Sequence, residues 1–190
     1  ASSSSLAEEG VVLSVERVGR AGQLEHERLR ALFSGGPLPA RRVVENLADL
    51  DAQLAAVRTG ENLLQALARE RGLPEVEAYM RFVQDNAAGE VLRALASLEP
   101  GRRAFVDALD DGTPVAVTLD VSGARLLVDF RGTGGEHAGN LNAPRAVTLA
   151  CVLDVLRVLV GKPIPLNSGC LRHVDVVIPE RSLLAPGPER

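Results

Sequence analysis

Tryptophan is absent from the 190 residues, and tyrosine, methionine and lysine occur once each, the lysine being Lys162. An aromatic fraction of 3% beside a hydrophobic fraction of 46% leaves the core to be built from Ala, Leu and Val. The scarcity of lysine among the 21 basic residues reads as coding bias, although arginine also favours fixed ion pairs. Cysteine is limited to Cys151 and Cys170, so at most one disulfide is available. That is no framework for a domain of this size, and a reducing compartment, the cytoplasm, is expected. Neither sign of charge dominates: 21 basic against 25 acidic residues give −4, without the basic excess that nucleic acid or an anionic membrane calls for. The longest apolar run, Val147–Val160, contains Asp154 and Arg157 and falls short of the roughly 20 residues that span a bilayer. No basic-then-apolar leader opens the chain. Both ends read as cut, since no Met precedes Ala1 and Ala185-Pro-Gly-Pro-Glu-Arg190 is a loop. Ser2–Ser5 fit either a native linker or an added tag. We therefore expect a piece of a larger protein.

What is present divides into three stretches. Residues 1–36 hold an extended arm or short strand over 10–18 and a short helix over 23–33, stopped at Ser34-Gly35-Gly36-Pro37. Residues 37–100 carry the clearest periodicity. Val43, Leu47, Leu50, Leu54 and Val57 recur at steps of four and three, and Leu64 and Leu67 keep the phase, which predicts one helix from about 40 to 71. Gly72 supplies a stop and Pro74 a first-turn start, and Val76, Tyr79, Val83, Ala87, Val91, Ala94 and Leu98 carry a second helix towards Pro100. Two long helices so joined predict an antiparallel helical hairpin whose stripe is core or partner surface. Residues 101–190 switch to strand period. Val115, Val117, Leu119 and Val121 alternate, a turn follows at Ser122-Gly123, Leu126, Val128 and Phe130 alternate back, and 103–109 add a third strand through Asp110-Asp111-Gly112. A Gly-rich loop, 132–139, leads to a helix from about 143 to 160, apolar on so wide a face that near-complete burial is expected. Val174, Val176 and Ile178 form a last strand before Pro179. The predicted class is α+β: a helical hairpin, then a small, mainly antiparallel sheet with a buried helix.

Three segments invite chemistry. Asp129-Phe-Arg-Gly-Thr-Gly-Gly135 resembles the phosphate loop of actin-like ATPases, where turn amides cradle phosphate and an acid organises a metal. The plain alternative is a flexible strand-to-helix connection, and His137 stands where a dinucleotide fingerprint needs glycine. In Gly139-Asn-Leu-Asn-Ala-Pro-Arg145, Asn142 suits an N-cap and Pro144 a first turn. Capping leaves Asn140 and Arg145 over. Asn140, Asn142 and Arg145 around a helix N-terminus, beside a loop too glycine-rich to be needed for packing, suit an anionic ligand. Cys170, His173 and Asp175 have the makings of a thiol, base and acid, or of metal ligands, but a zinc site needs a fourth ligand, and neither His26 nor His137 sits in a motif. No metal site is expected and no catalytic residue is assigned.

Longer stretches carry a resemblance. Val128-Asp-Phe-Arg-Gly-Thr-Gly-Gly-Glu-His-Ala-Gly-Asn-Leu-Asn-Ala-Pro-Arg-Ala-Val-Thr148, Ile164-Pro-Leu-Asn-Ser-Gly-Cys-Leu-Arg172 and Val176-Val-Ile-Pro-Glu-Arg-Ser-Leu-Leu184 closely resemble the B-type subunit of the ATP-dependent hydantoinase and 5-oxoprolinase family, whose relatives include acetone carboxylase. Glu8-Glu-Gly-Val-Val-Leu13 and Asn46-Leu-Ala-Asp-Leu-Asp-Ala-Gln53 fit the same pattern. The resemblance implies ATP-dependent opening of a cyclic amide, 5-oxoproline or a hydantoin (N-methylhydantoin included), in a hetero-oligomer or fused chain. In that family an actin-like A-type subunit handles ATP and the B-type part completes hydrolysis. ATP and a divalent metal are thus implied for the complete enzyme and no cofactor for this piece, which is expected to be inactive alone. The metal-binding His and Asp motifs of some relatives find no counterpart here, and His173 replaces a common proline. The rivals are an acetone-carboxylase-like subunit, handling a phosphorylated enol, and a non-catalytic module docking the A-type subunit. The implied partners are that subunit and a small cyclic amide, with no nucleic acid and no membrane.

Overall fold

A computed structural model describes residues 5, 8, 10–13 and 15–188. The serines at 2–4, Glu9, Ser14 and the last two residues of the C-terminal loop, all named above, lie outside the described residues. The fold class is α+β, as predicted, and the chain forms two compact units, Ala1–Val76 and Glu77–Pro188.

In the first unit, β1 (Gly19–Arg20) and β2 (Gln23–Leu24) make a short antiparallel hairpin, followed by α1 (His26–Ser34) and α2 (Val43–Arg71). The described residues of 10–18 form no strand, and Gln23–Leu24 pairs as β2, so the helix predicted from residue 23 starts at His26. A small core gathers Leu29, Phe33 and Leu47, with Leu24, Val43 and Leu50 against it. Beyond that core the α2 stripe is surface: Val57, Leu64 and Leu67 are exposed, and Leu47 is the helix's one buried residue. The periodicity was thus enough to specify a helix, whereas nothing among the described residues covers the far half of its apolar face.

Gly72 closes α2, its N–H bonding the carbonyl of Ala68, and α3 (Leu73–Ala96) follows at once, so the two consecutive long helices are both present. In the second unit α3 is buried through Ala87, Val91 and Leu95, one helical turn apart each time, while Tyr79 and Phe82 lie exposed edge-to-face. The sheet order is β3 (Gly101–Ala108), β4 (Pro114–Ser122), β5 (Arg125–Asp129) and β6 (Val174–Val177), antiparallel except for the parallel β5–β6 pair. Ser122 pairs with Arg125, which moves the predicted turn one residue on, to Gly123-Ala124. Gly123 has φ +57, the conformation a type II′ hairpin requires first. Val121, Leu126, Val128 and Val174 share one sheet face and meet Ala87, Val91 and Leu95 of α3 and Val152 and Leu156 of α4 (Arg145–Val160) in a single core. The wide apolar face of α4 is not nearly buried, contrary to its pattern. Thr148, Val152 and Leu156 are buried, but Val158 is 81% and Val155 67% exposed, because a single layer of sheet reaches only one side of the helix. No described helix is long and apolar enough to cross a membrane.

Candidate functional site

The candidate site is the long connection from β5 to α4, and its ends are set by Asp129. This acid is buried at the last position of β5, where its carboxylate accepts from the Arg131 backbone N–H at 2.9 Å and from Arg131 Nε at 3.0 and 2.8 Å. The Arg131 guanidinium, and after it the Arg131 amide, hold the Asp129 carboxyl below the usual carboxylate range. Both oxygens are therefore engaged by a neighbour two residues away. The acid anchors the start of the loop, and the reading in which it organises a metal is not supported.

Nor is the loop a flexible connection. Thr133 Oγ1 donates to the Ala116 carbonyl and accepts from the Ala116 N–H, both at 3.1 Å, while the Gly134 N–H donates to the Pro114 carbonyl at 2.8 Å. A Cβ at Gly134 would sit 2.8 Å from Thr113 Cγ2, so glycine is needed there because the loop packs tightly on β4. This corrects the expectation that the glycines serve no packing purpose. From the other side, Leu183 N–H donates to the Gly134 carbonyl at 3.0 Å, Ala143 N–H to the Leu183 carbonyl at 2.7 Å, and Gly187 N–H to Glu136 Oε1 at 2.6 Å. The segment after β6 is itself held by buried Ser182, whose hydroxyl donates to the Pro179 carbonyl at 2.6 Å.

His137 closes the middle of the loop. Its Nδ1 accepts from the Gly139 N–H at 2.9 Å and its Nε2 lies 2.9 Å from Asp111 Oδ2, in the turn between β3 and β4. A backbone N–H can only donate, so Nδ1 carries the lone pair and the neutral ring holds its proton on Nε2, directed at the carboxylate. Asp111 also accepts the Thr113 N–H at 2.8 Å, and Thr113, followed by His137, keeps its carboxyl below the usual range. Asn142 reaches back across the same turn. Its Oδ1 accepts the His137 N–H at 2.8 Å, and its Nδ2 donates to the His137 carbonyl at 2.8 Å and the Gly139 carbonyl at 3.3 Å.

Of the three predicted ligand residues, then, Asn142 is a brace of the loop. It is also not the N-cap of α4, since Pro144 holds that position with no side-chain cap. Asn140 and Arg145 are exposed, and neither makes a side-chain hydrogen bond or ion pair among the described residues. Arg145 in particular is not tied to Asp154, which pairs with Arg157 instead. His137 and Asp111 escaped notice in the sequence because a contact 26 residues apart follows no helical or strand period; only the long motif around 137 marks the place.

The second motif has a different office. Asn167 Oδ1 accepts the Gly169 N–H at 2.8 Å and caps a one-turn 3₁₀ helix, Ser168–Leu171. A Cβ at Gly169 would lie 2.1 Å from the Gln84 carbonyl oxygen of α3, Asn167 Nδ2 donates to the Val83 carbonyl, and Arg172 pairs with Asp85 at 2.6 Å. The Cys170 thiol is buried against the Pro165 carbonyl, and the Asp175 carboxylate is taken by Arg125 at 2.7 Å. Cys170, His173 and Asp175 are therefore not assembled into a triad. Among the described residues no group of three His, Cys, Asp or Glu is placed to hold a metal ion, and Cys151 and Cys170 are both free.

This architecture is shared with two solved structures. It superimposes on the ATP-dependent caprolactamase of Pseudomonas jessenii with a TM-score of 0.82 at 21% identity, covering 99% of this chain and 34% of that one. Nucleotide-free acetone carboxylase gives a TM-score of 0.75 at 17% identity, over 98% of this chain and 27% of that one. At those identities the likeness is one of fold. The sequence goes further, and the chain belongs to the hydantoinase B/oxoprolinase family, which it matches over residues 1–190. It is 37% identical to the 5-oxoprolinase PfmaA of Pestalotiopsis fici over 98% of its length and 36% identical to the 5-oxoprolinase of Saccharomyces cerevisiae over 97%. It spans 15% of the length of each of these relatives.

Proposed function

We propose that this chain is part of an ATP-dependent cyclic-amide hydrolase acting on 5-oxoproline or a related lactam, and that the braced loop from Asp129 to Arg145 lies beside the substrate. Identity of 36–37% to 5-oxoprolinases along nearly the whole chain carries this reading. A five-membered lactam is resonance-stabilised and re-closes readily. Phosphorylation of its amide oxygen makes the ring carbon electrophilic, and water adds there. The C–N bond breaks as the ring nitrogen takes up a proton and leaves as the amine, and the acyl phosphate so formed is hydrolysed to carboxylate and phosphate. The ATP and divalent metal belong to an A-type partner domain or subunit, and this chain alone turns over neither ATP nor lactam. Its own contribution is positional. Asp129, His137 and Asn142 brace the loop, leaving Asn140 within it and Arg145 at the start of α4 with no side-chain partner among the described residues, and the helix N-terminus adds partial positive charge there. Such a set stabilises an anionic adduct only if it is already in place when charge develops. With both cysteines free, the protein suits a reducing, cytoplasmic setting.

The test is Arg145→Ala in the full-length enzyme. A fall of about tenfold or more in kcat/KM with an unchanged Tm is expected of a group that meets the reacting oxyanion. Unchanged turnover with a lowered Tm would assign Arg145 to bracing instead. A docking module is the second reading, favoured by the exposed Val57, Leu64 and Leu67 of α2 and Phe82 of α3. It is distinguished by A-type partner binding that Leu64→Asp abolishes while Arg145→Ala leaves it intact.

A further inference from the structure

Strand β3 is exposed at all eight positions, with Phe105 65% and Val106 63% accessible, and it is the outer strand of its sheet. The register settles which of its backbone groups are spent. Leu109 N–H donates to the Thr113 carbonyl, and residue 109 continues the odd-numbered series of β3 that faces β4. On β4 the even positions are used on the opposite side, Ala116 by Thr133 and the Pro114 carbonyl by Gly134. Arg102, Ala104 and Val106 therefore direct their N–H and C=O groups outward. The Ala108 N–H, next in that row, is already covered by Asp107 Oδ1 at 2.8 Å, which shields one end of the edge. The rest is an open template, and natural edges of this length carry charge or cover to avoid unwanted pairing.

The side chains state what would fit. Arg103, Phe105 and Asp107 share one face, a basic residue and an acidic residue two positions either side of an aromatic ring. An antiparallel strand complementary to that face needs an acid opposite Arg103, an apolar residue opposite Phe105 and a base opposite Asp107. The strand that meets this requirement is β3 itself, reversed.

We propose that β3 is a self-association edge, on which a second copy of this chain pairs antiparallel with Phe105 opposite Phe105. In that register Arg103 of each copy faces Asp107 of the other. Ala104 and Val106 exchange backbone hydrogen bonds with Val106 and Ala104, so the outward groups are the ones satisfied. Phe105 falls at a non-hydrogen-bonded pair, where facing Cα atoms approach most closely, to about 4.5 Å. Sliding by two residues places Phe105 opposite Arg103 or Asp107 and loses the match, so the charges select the register as well as the partner. The sheet face carrying Phe105 is the one that carries Val117, its neighbour on β4, so pairing extends the apolar side of the sheet across the two-fold axis. Arg103 now donates to the Glu99 carbonyl and would exchange that exposed bond for the carboxylate.

Analytical ultracentrifugation of the 190-residue protein, with circular dichroism to confirm folding, tests this through a charge swap. A concentration-dependent dimer is expected for the unmodified chain. Its dissociation constant should rise at least tenfold in Arg103→Asp and in Asp107→Arg, each of which faces like charges, and return in the double variant. Hydrogen exchange should slow at the amides of 102, 104 and 106 as concentration rises, with 103, 105 and 107 protected throughout. A monomer at every concentration, a dimer indifferent to the single swaps, or a double variant that fails to recover would each overturn the proposal. So would the longer polypeptide showing 102, 104 and 106 protected at any dilution, which would mean that a strand of the same polypeptide occupies the edge.

Discussion

The segments 129–145 and 164–172 are equally conspicuous in the sequence and do opposite things. Residues 164–172 bring Gly169 onto the α3 backbone, bury Ile164 and Cys170 and spend Asn167 and Arg172 on α3, so that these residues are consumed by packing. Residues 129–145 are braced just as heavily, yet the bracing groups, Asp129, Thr133, His137 and Asn142, are interspersed with residues that are exposed and, among the described residues, without a side-chain partner, Asn140 and Arg145. A distinctive motif can therefore mark a joint or a scaffolded surface. What separates the two is whether its polar groups are used up internally.

That contrast can be broken, and the joint should give the largest effect. Gly169→Val forces a side chain into the Gln84 carbonyl and is expected to cost at least about 3 kcal/mol, as overpacking against backbone leaves nothing free to yield. Urea denaturation checks it, and a loss under about 1 kcal/mol would show that α3 and the 3₁₀ turn part easily. Asn142→Ala comes next. Three half-buried bonds to the loop backbone are lost, for about 1–3 kcal/mol, with faster amide exchange at His137 than elsewhere in the sheet. If only global stability fell, with exchange unchanged at His137, Asn142 would not be a local brace.

Acid should loosen the loop before the joint. Asp111 and Asp129 both have folded pKa values below their unfolded ones, so their stabilising effect is complete above the usual carboxylate range and is lost as pH falls through the folded values. The amides of Arg131 and Thr113 should then lose protection at a higher pH than that of Gly169, which Asn167, an uncharged acceptor, holds. Simultaneous loss at all three would remove the distinction. The smallest effect on stability is expected at the exposed members: Asn140→Ala should leave the melting temperature unchanged while lowering kcat/KM of the full-length enzyme. A melting shift comparable to that of Asn142→Ala would move Asn140 from the surface set to the bracing set.

Sequence alone determined what depends on short-range chemistry. The four-and-three spacing from Val43 to Leu67 specified a helix, because each residue's neighbours along one face lie within a turn. Alternation over Val115–Val121 and Leu126–Val128 specified two strands, and Val121, Leu126 and Val128 share the buried face, although Leu119 of the same series is exposed. The tertiary structure decided how those faces were used. The stripe on α2, legible only as core or partner surface, is buried at Leu47 and exposed from Val57 on. The outer side of α4 looks like core and is surface, since burial depends on what arrives from elsewhere in the chain and no local period encodes it. The candidate site divided in the same way. Asn142 looked like a helix cap and is a loop brace, while His137 looked idle and joins two turns, because a hydrogen bond between residues 111 and 137 exists only once the sheet has placed both ends.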